Sequence, residues 1–150
     1  MIITTARKPS SKIRTFCKHL SRFTGCDYVP RGKTSLQELG AEPFLMVGEY
    51  KGNPGSFIFF NNREPLLSIR ANVSLDREVN PGQEPAIQGN LPLAAALSRA
   101  TGFKLGGCSE RIIRVNDKIE FVDKDEPVIR LKIIGIRGEG IVRSVQERRD

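Results

Sequence analysis

His19 is the only imidazole in the 150-residue chain, and Cys17 stands two positions before it. That pairing invites a base-and-nucleophile reading, but local chemistry opposes it. Lys18 adjoins His19, and a nearby cation lowers an imidazole pKa and weakens it as a base. His19 therefore reads as a solvated helix residue. Cys17 falls on an apolar stripe and reads as a buried packing residue. Cys17, Cys26 and Cys108 cannot all pair with one another and show no C-x-x-C spacing. With a single histidine they fall short of the four ligands of a structural zinc site, so neither a metal nor a disulfide framework is expected. Asp123, Asp125 and Glu126 crowd a turn and read as a solvated hairpin tip, since a calcium loop needs more alternating oxygen ligands.

Three phosphate or nucleotide motifs begin and fail. Gly32-Lys33-Thr34 resembles the end of a P-loop, but the required earlier glycine falls on Asp27, whose charge repels phosphate. Gly138-Glu139-Gly140 opens like a dinucleotide fingerprint, and the third glycine falls on Arg143. Lys51-Gly52 followed by Phe57 and Phe59 matches part of an RNA-recognition strand that needs an aromatic where Asn53 stands. No constellation supports an enzyme, so no catalytic residue, cofactor or small-molecule substrate is expected.

The remaining chemistry is positive charge. The chain carries 24 Lys and Arg against 17 Asp and Glu, a net charge of +7. Residues 1–33 hold eight of those bases and one acid, Asp27, while the other 117 residues balance at sixteen against sixteen. Charge concentrated in this way is the footprint of a polyanion partner. The candidate phosphate-contacting residues are Arg7, Lys8, Ser10, Lys12, Arg14, Lys18, Arg22, Arg31 and Lys33. Arg7 and Lys8 precede a helix N-terminus, where free N–H groups and the helix dipole favour a phosphate. Gly32 lets the Arg31–Lys33 backbone approach a ligand closely.

The elements that must position these residues are legible in part. Ile2–Thr5 is a strand stopped by Pro9. Ser10 or Ser11 caps a helix in which Ile13, Phe16, Cys17, Leu20 and Phe23 form the apolar stripe, and Gly25 ends it. Arg14, Lys18 and Arg22 recur every fourth residue on the solvent side. After a short strand at Tyr28-Val29, Ser35 caps a short helix over Leu36–Leu39, with Glu38 completing a capping box. Phe44–Val47 reads as a buried strand, Lys51–Gly55 as a turn, and Phe57–Phe60 as a central strand apolar on both faces. A third strand alternates, with Leu67, Ile69, Ala71 and Val73 inward and Ser68, Arg70, Asn72 and Ser74 outward. Residues 76–92 are rich in proline and glycine and read as a linker without regular structure, dividing halves at 1–75 and 93–150. The second half opens with a helix bearing Leu93, Ala96, Leu97 and Ala100 and closed by Gly102. Ile112-Ile113 is a short strand, and a hairpin joins Ile119–Val122 to Val128–Ile136. The tail from Arg143 onward is polar and reads as frayed.

Composition sets the class. The chain is 39% hydrophobic and 27% charged, as in an ordinary globular protein, and no apolar run approaches the ~20 residues of a membrane span. Met1–Pro9 lacks the charged-then-apolar order of a secretion signal, so a cytoplasmic protein without a membrane partner is expected. Helices mixed with adjacent hairpins give an α/β fold with a mixed α+β sheet.

At these residues the sequence resembles the Brix-domain family of ribosome-biogenesis proteins, in particular its short stand-alone archaeal members. The resemblance runs through Ile2–Ser10, Arg14, Phe16, Lys18 and Leu20, then Arg31–Lys33 with Leu36 and Leu39, then Gly52–Gly55 before the Phe57–Phe60 strand. Ile119–Phe121 and Leu131–Ile133 resemble the family's closing hairpin. Ala6 stands where the family usually has serine and His19 where it has an acid, so position 6 carries no role. The resemblance implies a single Brix domain of two half-domains, each similar to the anticodon-binding domain of class II aminoacyl-tRNA synthetases. It also implies binding of a ribosomal RNA precursor during rRNA processing and subunit assembly, with other ribosome-assembly proteins as further partners and no catalysis. Two other binding readings compete: a tRNA or other RNA-binding module, and a protein-interaction adaptor using the exposed faces of Arg70 and Arg130–Lys132.

Overall fold

The computed structural model describes residues 1–89, 92–107, 109–138 and 141–144, the last four by backbone alone. Among these residues it contains ten strands and two helices: β1 (Ile2–Thr5), α1 (Ser11–Thr24), β2 (Asp27–Tyr28), β3 (Phe44–Tyr50), β4 (Asn53–Asn61), β5 (Glu64–Leu75), β6 (Ala86–Gln88), α2 (Pro92–Thr101), β7 (Arg111–Val115), β8 (Lys118–Asp123), β9 (Glu126–Gly138) and β10 (Ile141–Ser144). All strands join one mixed sheet in the order β2-β1-β3-β4-β5-β9-β8-β7-β6, with β10 beside β9. Both helices pack on the same face, in a single core with the inward side chains of β4, β5, β8 and β9. The fold is therefore the mixed α/β class expected from the alternation of elements.

Read inward from either edge, the sheet follows one plan. β1 pairs in parallel with β2 and β3, and the meander β3-β4-β5 follows. At the other edge β6 pairs in parallel with β7, Ile87 bridges in parallel to Leu105, and the meander β7-β8-β9 follows. The two meanders meet along the antiparallel β5–β9 seam. A helix follows the first strand of each unit, and the two helices end identically. Leu20-Ser21-Arg22-Phe23-Thr24-Gly25 corresponds to Leu97-Ser98-Arg99-Ala100-Thr101-Gly102. Ser21 Oγ donates to the Cys26 carbonyl at 2.5 Å, and Ser98 Oγ to the Phe103 carbonyl at 2.6 Å. Thr24 and Thr101 each donate back to the carbonyl four residues earlier, at 2.8 and 2.6 Å, and each accepts the N–H two residues on. Gly25 and Gly102 take φ values of 76° and 80°, which favour glycine.

Local expectations hold where the cause is local. Ser10 is the N-cap of α1 and accepts from the Ile13 N–H, and the five stripe residues are buried. Alternation along β5 puts Ile69 and Ala71 in the core and Arg70 and Asn72 outside. The α2 and hairpin assignments agree as well.

Four expectations need correction. The 76–92 stretch contains β6, and its Val79 and Ile87 are buried in the shared core. Its prolines flank the strand, where no ladder N–H is needed, so they do not forbid it. Leu36–Leu39 forms successive turns in place of a helix. Ser35 Oγ does accept the Glu38 N–H at 3.2 Å, but Gly40 N–H already bonds to the Gln37 carbonyl at 3.1 Å and closes the segment. The Lys51–Gly55 turn is confined to Lys51 and Gly52, both at positive φ, and β4 begins at Asn53. Arg143 and Ser144 belong to β10 and do not start a frayed tail. The remainder of that tail, residues 145–150, lies outside the described residues, as do Cys108 and Glu139-Gly140 of the failed fingerprint.

Candidate nucleic-acid interface

Helix α1 is amphipathic because its apolar residues recur at helical spacing, and burying that stripe turns Arg14, Lys18 and Arg22 to solvent. The helix contains four bases and no acid. Arg14 bends back to donate to the Pro9 carbonyl at 3.0 Å, which places its guanidinium near the helix N-terminus. Arg7 and Lys8 are exposed on the β1–α1 connection, where Lys8 adopts φ 55°. Lys33 is exposed on the loop after β2, and Lys12 lines a groove between α1 and the ends of β4 and β5. Among the described residues none of Arg7, Lys8, Lys12, Arg14, Lys18, Arg22 and Lys33 forms an ion pair.

Arg31 and Ser10 differ from the rest of the expected set. Arg31 is only 6% exposed. Its Nε donates to the Thr34 carbonyl at 2.5 Å, and its Nη1 to the Thr5 carbonyl at 3.1 Å and toward Met46 Sδ at 3.6 Å. Burial, then the neighbouring Arg7, pushes its pKa below the ordinary arginine value. Its planar fork ties the loop after β2 to the end of β1, so it is removed from the phosphate-contacting set. It still brings that loop beside Arg7. The Ser10 hydroxyl is engaged in capping α1. Thr5 Oγ1, at the end of β1, is buried with no hydrogen-bond partner among the described residues.

The residues considered for catalysis take other places. Cys17 is fully buried, and burial pushes its thiol up to about 12, far from a thiolate at neutral pH. His19 is half-buried, not solvated, and its Nδ1 has no hydrogen-bond partner among the described residues. Burial foremost and Arg22 next lower its pKa, against an opposing pull from Glu78. The cation that matters is thus one turn away, not the adjacent Lys18. Asp123 is not a solvated tip residue either: it meets Arg111 at 3.4 Å. Among the described residues no group of three or more His, Cys, Asp or Glu side chains could hold a metal, and no helix is long and apolar enough to cross a membrane.

Arg111 was missed by sequence reasoning. Its side chain is 7% exposed and spans the two units. Nη1 donates to the Arg22 and Phe23 carbonyls at the end of α1, both at 2.9 Å, and Nη2 donates to the Asn80 carbonyl. The guanidinium also lies 5.0 Å from the centroid of the Phe23 ring. A cation at a helix C-terminus complements the helix dipole. No local pattern marks such a residue, because its acceptors on α1 are nearly ninety positions away in sequence.

No family model matches the chain. Its similarity to known proteins is nonetheless extensive. It is 35% identical to a probable Brix domain-containing ribosomal biogenesis protein of Methanosarcina mazei, covering 91% of this chain and 99% of that protein. It is 37% identical to the protein of the same description from Methanococcoides burtonii, covering 91% and 96%. Among solved structures, the crystal structure of Mil, an archaeal Imp4-like protein, superposes with a TM-score of 0.76 at 27% identity, covering 92% of this chain and 99% of Mil. A probable ribosomal biogenesis protein from Aeropyrum pernix K1 gives a TM-score of 0.72 at 26% identity, over 88% and 93%. With this identity sustained over nearly the whole chain, the protein belongs to the Brix domain-containing ribosomal biogenesis family.

Proposed function

We propose that this chain is a cytoplasmic, non-catalytic ribosome-biogenesis factor that binds ribosomal RNA precursors through the basic face of α1 and its flanking loops. The names of its relatives support the ribosome-biogenesis role. One observation carries the RNA-binding surface. Helices α1 and α2 occupy equivalent places and end with the same bonds, yet α1 carries Lys12, Arg14, Lys18 and Arg22 while α2 carries only Arg99. The fold evidently does not require a basic helix at this position, so the charge on α1 serves a partner. Arg7, Lys8 and Lys33 extend it past the helix N-terminus. We also read each unit as similar to the anticodon-binding domain of class II aminoacyl-tRNA synthetases, a reading supported by the repeated parallel strands, helix and meander.

Such a surface positions RNA by its phosphates and reads few bases. The test is an anisotropy titration with ribosomal RNA fragments across a salt series, with Arg14→Glu/Lys18→Glu alongside the wild type. Loss of two phosphate contacts weakens binding and makes the salt slope shallower by roughly one to two units. Unchanged binding by the variant moves the site off α1. Absence of wild-type binding at low salt overturns the proposal in favour of a protein adaptor.

A further inference from the structure

The helix-free face of the sheet carries a second set of cations. Because side chains alternate along a strand, residues between core positions point to this face. On β5, Arg70 lies between Ile69 and Ala71. On β9, Lys132 lies between Leu131 and Ile133, and Arg137 follows Ile136. On β8, Lys118 precedes Ile119. Register draws these into a diagonal across the β5–β9 seam: Lys118 faces Lys132, Lys132 faces Asn72, and Arg137 faces Ser68, two residues from Arg70.

Two observations separate this row from ordinary surface charge. Elsewhere on the same face cations are matched, Arg114 with Glu120 at 3.7 Å and Arg130 with Asp76 at 2.5 Å. Along the diagonal, no ion pair forms among the described residues. Arg70 instead rests 5.1 Å from the ring centroid of Tyr50, a support that leaves its charge uncancelled. Second, Lys118 and Lys132 are directly opposed, and like charges at that position destabilise a sheet. A bound anion between them removes the repulsion.

We propose that the Lys118–Lys132–Arg70–Arg137 diagonal is a second RNA-backbone surface, on the face opposite α1 and across both units. It rests on the reading above that the partner is RNA. The polar neighbours Ser68, Asn72 and Ser74 suit phosphate and ribose contacts better than the apolar anchors of a protein interface. Tyr50, beside the incomplete recognition motif at Lys51-Gly52, places an aromatic at one end of the row.

The test uses Lys118→Gln/Lys132→Gln and, separately, Arg70→Gln, titrated with a single-stranded ribosomal RNA fragment across a salt series. Arg14→Glu/Lys18→Glu runs in parallel, and urea midpoints are recorded for all. The double lysine variant is expected to bind several-fold more weakly, with a salt slope shallower by about 1.4 units. Its urea midpoint stays at or above that of the wild type, because the repulsion is gone. Arg70→Gln weakens binding about half as much on the same logarithmic scale and covers the case of a double variant that unfolds. Wild-type binding by both sheet variants, with weakening in the α1 variant, overturns this surface and leaves the α1 reading intact. No binding by the wild type overturns both. Retention of an acidic protein by the wild type, lost in the sheet variants while RNA binding is unchanged, also overturns it and makes the face a protein dock.

Discussion

Helices α1 and α2 end in the same serine, threonine and glycine bonds, and four corresponding positions are buried in both, Phe16 with Leu93, Cys17 with Ala94, Leu20 with Leu97 and Phe23 with Ala100. Cys17 and Ala94 are both fully buried. The chain between these shared elements differs. The first unit connects β2 to β3 through residues 29–43, a loop anchored by Arg31 in which Leu36 lines a small pocket together with Phe44 and Phe60. In the second unit β7 begins a few residues after the Leu105 bridge. Core and caps are therefore what the architecture demands of both units. Helix charge and loop cover vary, and are available for function.

The largest effect should come from cutting what joins the units. In Arg111→Met the Phe23 and Asn80 carbonyls lose a donor and Asp123 loses its cation. Removing one partner of a buried pair costs about 3–5 kcal/mol, and Asp123, whose side chain is 20% exposed, puts this case at the lower end, about 3 kcal/mol. Urea unfolding measures it. A loss under about 1 kcal/mol would mean that the shared core alone holds the units together. Arg31→Met supplies the contrast within one unit: it strands carbonyls but no acid, so about 1–2 kcal/mol is expected. Its RNA salt slope should match the wild type, and a shallower one would return Arg31 to the phosphate-contacting set.

Cys17 and Ala94 turn the comparison into a pH experiment. The buried thiol titrates near 12 in the fold, against an ordinary value of 9.0. Below pH 9 both states hold the proton and nothing is lost. Between these values the unfolded chain has released a proton that the folded protein retains, so stability falls as pH rises, by about 1.4 kcal/mol per unit, until the folded thiol also ionises. Cys17→Ala makes α1 like α2 at this position and should flatten the decline between pH 9 and 10.5. An unchanged slope would assign the decline to other groups.

Arg22 and Arg99 stand at identical places in the repeated hexapeptide, and both are exposed. Arg22→Glu should weaken RNA binding up to about tenfold and reduce the salt slope by about one unit. Arg99→Glu should leave the slope within error. Equal losses would show that charge at either helix end suffices and would remove the distinction between the units.

How much of this was legible in the sequence followed the range of the interactions. The α1 stripe, the Ser10 cap and the β5 alternation arise from neighbours within one turn or two residues, so periodicity revealed them. The basic excess of residues 1–33 was equally plain, and seven of the nine expected site residues are exposed cations. Arg31 was misread because its burial depends on the path of a whole loop, not on its neighbours. β6 was missed because Pro85 and Pro92 disguise a strand that lies between them. The Leu20–Gly25 and Leu97–Gly102 repeat was readable all along at a spacing of 77 residues, and comparing the chain with itself would have exposed the architecture.

The repeated glycines give the finest test, because their backbones match and their surroundings do not. An alanine at either position must hold a left-handed φ, which costs about 1–2 kcal/mol relative to glycine. At Gly102 the new Cβ meets nothing within 4 Å, so that cost stands alone. At Gly25 it lies 3.4 Å from the Gly82 carbonyl oxygen, on a segment whose Gly82 N–H bonds to the Arg22 carbonyl at 3.2 Å. That segment also lies against Arg111, since a Cβ on Gly82 would fall 2.3 Å from its guanidinium carbon. At that distance the methyl group makes ordinary van der Waals contact, so Gly25→Ala should cost the same backbone strain or about a few tenths of a kcal/mol less. Urea midpoints of the two variants measure the difference directly. If Gly25→Ala proves clearly the more costly, the segment at Gly82 presses more tightly on the first helix end than this distance shows, and the junction at Arg111 is the stiffer for it.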